Sequence, residues 1–255
     1  MEFPERPRAV YGRNPLVEVV CQLRFPRLLL LDREVPFEFQ STIGKDFPIV
    51  DSREEVRLSI SESGIGSTPM NRRQIYDFST GDRKFTISLC SDFLAVKTNS
   101  YERWESFHRV IENSLHALTH SYDIPHFTRI GLRYINVIDK SEIGLVDASW
   151  TDLLRTPALG LLADDDIPLG DVGEQSSTTL VRLNYGKVAV RTGLNLSDPA
   201  EPPRFVVDSD FFFEDQVEGV ERAIDILGSY NRAAGNAFRW FITDRLHRQL
   251  EPNDP

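Results

Sequence analysis

Apolar and polar residues alternate strictly near the start of the chain. Across residues 15–26, Val17, Val19, Cys21, Leu23 and Phe25 share one side while Glu18, Gln22 and Arg24 share the other, which predicts a half-buried strand. The alternation returns at Val56, Leu58 and Ile60, at Ile75 and Phe78, and at Phe85, Ile87 and Leu89, running past Ser91-Asp92 into residues 93–98. These read as an antiparallel meander, with Ser79-Thr80-Gly81-Asp82 as the turn of one hairpin. Between the first strand and the meander, VPFEFQSTIGKDFP is bounded by prolines and fits either a short helix or a covering loop.

The period then changes. Trp104, Phe107, Ile111, Leu115 and Leu118 form a helical stripe that runs from Tyr101 to near Tyr122 and is closed by Pro125. Asn99 followed three residues later by Glu102 has the form of a capping box. HFTRIGLRYINVID places Ile130, Leu132, Tyr134 and Ile138 on one strand face and Arg129 and Arg133 on the other. Residues 139–176 interrupt the pattern with Pro157, Pro168 and the Asp164-Asp165-Asp166 run, around a short helix at 150–154. Strands resume at 178–185 and 188–196 about an Asn184-Tyr185-Gly186-Lys187 turn, and again at RFVVDSDFFF. Val220, Ile224, Leu227, Ala234, Ala237, Phe238, Phe241, Ile242 and Leu246 predict one long C-terminal helix, bent near Gly228 or Gly235.

Strands grouped before helices, without regular βαβ alternation, indicate an α+β fold of mainly antiparallel sheets packed against two long helices. Two similar α/β sandwich halves also fit the order. The division is residues 1–138 as an N-terminal α+β domain, 139–176 as an acidic insertion or linker, and 177–255 as a C-terminal strand-and-helix region, separate or packed with the first as one unit.

Charge refines this picture. Lys and Arg number 29 against 39 Asp and Glu in 255 residues, a net −10 that excludes a globally basic nucleic-acid binder. The acidity is local: basic minus acidic residues give 18 − 18 = 0 over 1–138, 7 − 18 = −11 over 139–225 and 4 − 3 = +1 over 226–255. The middle third could thus serve solubility, hold a cation or dock a basic partner, and the neutral N-terminal half leaves room for a local Arg patch. Cys21 and Cys90 fall at apolar-face strand positions and read as buried thiols, a mutual disulfide remaining the alternative. The first residues lack the apolar core of an export signal, and no apolar run approaches the length of a membrane span; the expectation is a cytoplasmic protein with no membrane contact.

The segments PLVEVVCQLRFP, YERWESF, RIGLRYIN and AAGNAFRWFITDRLH, in this order, resemble a sporadically distributed, functionally uncharacterised family of bacterial and archaeal proteins of about 250 residues. The resemblance covers nearly the whole chain and brings no catalytic residues. The family's patchy distribution is similar to that of mobile or defence-linked genes, which implies a place in conflict systems.

Three constellations are candidate sites. Asp208 and Asp210, two apart in a strand, project from one face, as hard oxygen ligands of a divalent metal would; the alternative is a solvated strand face. Asn236, Arg239, Trp240, Thr243 and His247, with Asp244 beside them, form a polar and aromatic helical stripe suited to a cleft or a partner, unless Trp240 packs inward and Arg239 pairs with Asp244. Arg129 and Arg133, joined by Arg103, could bind an anion, or could pair with neighbouring carboxylates. His116 and His120 share a helix face but lack an acidic companion. P-loop, nucleophile-elbow and CxxC motifs are absent. The expectation is a non-catalytic protein-interaction or accessory subunit of a defence or toxin–antitoxin type system, with a protein partner and a homo-oligomer both compatible with it. The alternatives are a metal-dependent hydrolase or nuclease using Asp208 and Asp210, and an RNA-binding module. No cofactor is expected beyond such a divalent metal.

Overall fold

The computed structural model describes residues 1–57, 71–164, 166–168, 172–195 and 203–253. Its centre is an antiparallel pair, β2 (Leu16–Arg24) and β7 (Arg129–Asp139), in which Cys21 lies opposite Leu132 and Val20 opposite Arg133. Outward from β2 run β6 (Phe93–Thr98), β5 (Phe85–Cys90), β4 (Asn71–Ser79) and β3 (Ile49–Arg57). Outward from β7 run β10 (Arg204–Phe213), β9 (Lys187–Asn195) and β8 (Gln175–Arg182). Every pairing in this nine-stranded sheet is antiparallel. The fold is therefore α+β with a large antiparallel sheet. The predicted strand at Val56, Leu58 and Ile60 starts earlier, at Ile49, and Leu58 and Ile60 lie outside the described residues.

One face of the sheet is dry. Val19, Cys21, Leu23, Ile130, Leu132, Phe205, Val207 and Phe211 are fully buried, each separated from the next on its strand by a residue pointing the other way. They pack beneath α1 (Phe37–Ile43), α2 (Trp104–Ser121) and α5 (Val220–Phe241) in one continuous core. Burying a large side chain of this kind contributes about 1.5–3 kcal/mol. The proline-bounded segment is thus a helix, α1, preceded by a 3-10 turn at Leu29–Asp32. On α5, Ala223, Leu227, Tyr230, Ala234, Ala237 and Phe241 are buried at helical spacing. Asn231 of α5 accepts a hydrogen bond from the buried Tyr134 hydroxyl of β7 at 2.9 Å, a polar pin between the two layers.

Two local expectations are corrected. The α2 helix begins at Trp104, with Arg103 at its cap position and no side-chain cap bond; Asn99 and Glu102 form no capping box. Thr98 instead turns back to accept the Ser100 amide at 3.1 Å, which spends residues 99–102 on leaving β6. The predicted C-terminal helix runs unbroken through Gly228 and Gly235 but is shorter than expected. It stops after Phe241: Ile242 is extended, Thr243 caps a new helix α6 (Asp244–Gln249), and the Thr243 hydroxyl accepts the Leu246 amide. Residues 139–176, expected as an acidic insertion or linker around a short helix, carry two short helices where they are described. α3 (Trp150–Leu153) and α4 (Thr156–Leu159) bury Trp150, Leu153, Ala158 and Leu159 in the common core, and a Ser149/Asp152 capping box starts α3.

The described ends of the chain meet. β1 (Val10–Tyr11) pairs with β11 (Pro252–Asn253), Val10 opposite Asn253.

Candidate functional site

The second face of the sheet carries the chemistry. On it, β2 presents Glu18, Gln22 and Arg24; β6 presents Lys97; β7 presents Arg129, Gly131 and Arg133; β10 presents Asp208, Asp210 and Phe212; β9 presents Lys187 and Arg191. Asp208 and Asp210 do point the same way, as their spacing predicted. Each is held by a guanidinium. Arg133 bonds Asp208 with two nitrogens, at 2.7 and 2.8 Å, and Arg191 adds a third contact at 3.2 Å. Arg129 reaches both oxygens of Asp210, at 3.1 and 3.0 Å.

The predicted metal ligands and the predicted anion-binding arginines are therefore partners of one another. The Asp208 side chain is only 7% exposed, so its charge is balanced inside the protein by cations that remain half in solvent. The hydrogen bond to Asp208 raises the Arg133 pKa further above its ordinary value against the opposing effect of burial. A divalent cation at this pair would have to displace the guanidiniums of Arg129, Arg133 and Arg191, and no cluster of three or more His, Cys, Asp or Glu side chains suited to a metal occurs among the described residues. Arg103 does not join Arg129 and Arg133: it is exposed at the start of α2, in the helical layer behind the sheet.

Sequence reasoning missed what locks the ladder. A Cβ on Gly131 would fall 2.2 Å from Arg129 Nη1, so the guanidinium lies across bare backbone. The same guanidinium stands 5.0 Å from the Phe212 ring centre, with Lys187 Nζ at 5.8 Å. Arg204 and Asp139 repeat the pairing at 2.8 Å, and Lys97 and Glu18 at 2.8 Å. Burial raises the Asp139 pKa, but hydrogen bonds from Ser141 and Arg204 outweigh it and leave the carboxyl below its usual range. Arg191 and Lys187 were legible from the alternation of β9, which points them away from buried Val188 and Val190.

The C-terminal stripe is occupied too. Asn236 accepts the Arg6 amide at 3.1 Å, and Trp240 packs 5.8 Å from Phe3, with the Arg155 guanidinium 5.1 Å from its ring. Arg239 pairs with Asp244, and Thr243 donates to the Asp152 carbonyl at 2.7 Å. The Tyr11 hydroxyl meets His247 Nδ1 at 3.0 Å. The first dozen residues thus form a strap that fills the stripe from within the chain. Burial, reinforced by Arg239, lowers the His247 pKa below 6.5 and favours the neutral ring, which keeps one nitrogen able to accept a hydrogen bond.

His116 and His120 are exposed on α2 beside an open groove of about 900 Å³ between α1 and α2, also lined by Ile43, Phe47 and Ala117. Cys21 faces the helices, whereas Cys90 belongs to a small apolar cluster with Ile75, Phe93 and Ala95 on the opposite face, so the two free, buried thiols are not a disulfide pair. Apolar side chains do reach solvent at one turn: Leu29 and Phe37 are each 67% exposed, with Leu30 and Val35 exposed between them. No described helix is long and apolar enough to cross a membrane. No protein-family model and no curated protein matches the chain.

Proposed function

We propose that this chain is a non-catalytic protein-interaction or accessory subunit, of the kind a bacterial defence or toxin–antitoxin system would employ. The observation that carries the reading is the turn from Leu29 to Phe37, where Leu29, Leu30, Val35 and Phe37 stand in water while Leu31 between them is buried in the core. Exposed leucine and phenylalanine grouped in this way are costly unless a partner covers them. The carboxylates and cations that could have formed a catalytic set are engaged with one another instead, as described for Asp208 and Asp210. The tie to conflict systems rests on the family resemblance of the four segments named above. The order of elements also favours an internal duplication: a central strand, short helices, a strand meander and a long helix occur twice, around β2 and around β7.

The test is affinity capture from the source organism with wild type and with a Leu29→Glu/Phe37→Glu variant, its folding checked by circular dichroism. The reading expects a protein retained by wild type and lost with the variant. Identical captured sets from the two would overturn it.

A second reading draws on the charge of the open sheet face. On β2, β6, β7, β10, β9 and β8, with Glu214 just after β10, the residues Arg24, Lys97, Arg129, Arg133, Arg182, Lys187, Arg191 and Arg204 outnumber Glu18, Asp139, Asp208, Asp210 and Glu214, 8 − 5 = +3 on a chain of net −10. That excess favours single-stranded RNA, whose binding would weaken steeply with added salt; binding that salt leaves unchanged, or none, would remove this reading.

A further inference from the structure

The two edges of the sheet are built differently. β3 carries Asp51, Arg53, Glu54 and Glu55, the charged protection by which natural edge strands avoid pairing with other chains. β8 carries a single charge, at its last residue Arg182: from Gln175 to Val181 it reads QSSTTLV, without charge or proline, and residues 176–180 are exposed throughout, Leu180 at 58%. Among the described residues no strand lies on its outer side. Thr178, Thr179 and Val181 are β-branched and suited to a further ladder.

The phase of the hairpin decides which backbone groups are available. Leu183 N donates to Gly186 O at the turn, so the odd-numbered residues of β8 bond to β9. The N–H and C=O groups of Ser176, Thr178 and Leu180 therefore point outward. The next outward carbonyl, that of Arg182, is taken by the Met1 amino group at 3.2 Å, which bounds the free stretch.

We propose that β8 pairs antiparallel with β8 of a second copy about a two-fold axis at Thr178, joining two sheets into one. The register follows from the charges at the ends of the strand. Glu174 precedes the uncharged run and Arg182 closes it, both exposed. Centring the axis on Thr178 sets Ser176 against Leu180 of the second copy and brings Glu174 opposite its Arg182, twice by symmetry. Every outward group from Ser176 to Leu180 is satisfied in that register, and a slip of one residue on either strand would break both the bonds and the charge match. The pairing uses neither the apolar turn at Leu29–Phe37 nor the charged ladder, so it stands or falls apart from the proposed function.

Light scattering during gel filtration, up to about 100 µM chain, tests the association, since a strand pair smaller than a standard interface gives a concentration-dependent dimer. Wild type is expected to dimerise. Thr178→Pro, which removes an outward N–H that β9 does not use, and Thr178→Lys, which adds a charge to the edge, are both expected to be monomers with unchanged circular dichroism. Glu174→Arg and Arg182→Glu should each weaken the dimer about tenfold, and the double exchange should restore it. Thr178→Cys should cross-link the wild-type partner arrangement under oxidation, because its Cα would face its own copy at about 5.5 Å. A wild-type chain that stays monomeric at the highest concentration overturns the proposal, including a chain whose β8 then takes a strand from a different protein. So does a dimer indifferent to both Thr178 variants or to the charge exchange.

Discussion

Replacing Asp208 by Asn removes one negative charge and almost no volume, and the sign of its effect distinguishes two uses of the same strand. In the structure the carboxylate is 7% exposed and receives three charge-assisted bonds, two from Arg133 and one from Arg191. Breaking a fully buried pair costs about 3–5 kcal/mol. Arg133 and Arg191 are 41% and 46% exposed and recover part of their hydration, which brings the expected loss to about 2 kcal/mol. For a chain of this size that lowers the melting temperature by about 4–8 °C. Urea unfolding should show the midpoint shifted with the slope unchanged. Had Asp208 and Asp210 been apposed to hold a cation, removing one carboxylate would relieve repulsion and stabilise the metal-free protein. An Asp208→Asn variant as stable as wild type, or more so, would refute the ion-pair account. Within that account Arg133→Gln must cost more than Arg191→Gln, because two short bonds are lost rather than one long one.

Gly131→Ala should cost about 1 kcal/mol by pushing the Arg129 guanidinium off Asp210 and Phe212, and the loss should vanish in an Arg129→Ala background, as a thermal-shift double-mutant cycle would show. Thr243→Ala should destabilise by about 1 kcal/mol through loss of the α6 cap, read by chemical denaturation. His247, whose folded pKa is lowered, binds its proton more readily when unfolded. Stability should therefore fall as pH drops below about 6.5 towards the lowered value, and His247→Gln should flatten that slope in pH-dependent melts.

Period-two alternation made β2, β7 and β10 legible, along with the common face of Asp208 and Asp210, because a strand's two faces are written in its own sequence. It could not show that Arg133 and Asp208, 75 residues apart, would sit on adjacent strands. That depends on β10 returning beside β7, and the charged residues of both strands were visible while their pairing was not. What covers the stripe ending at His247 was hidden for a related reason. Its spacing was helical, but its occupant, Phe3 to Tyr11, lies more than 200 residues earlier and has no periodicity of its own. The stop at Ile242 was local and readable: Thr243 followed by Asp244 and, three residues on, Leu246 is a fresh helix start, masked by the apolar residues that continue through it.

The pairing of Val10–Tyr11 with Pro252–Asn253 also imposes an order in time. Contacts this distant in sequence carry the largest loop-closure cost and form after the nearer ones. Phe3 and Tyr11 thus await α5 and α6, which follow them by more than 200 residues, and stay without these ring contacts until both helices are made. Until that closure the strap is open to chaperones and proteases. A lesion in α6 would first be felt at the other end of the chain, as a strap that never seats.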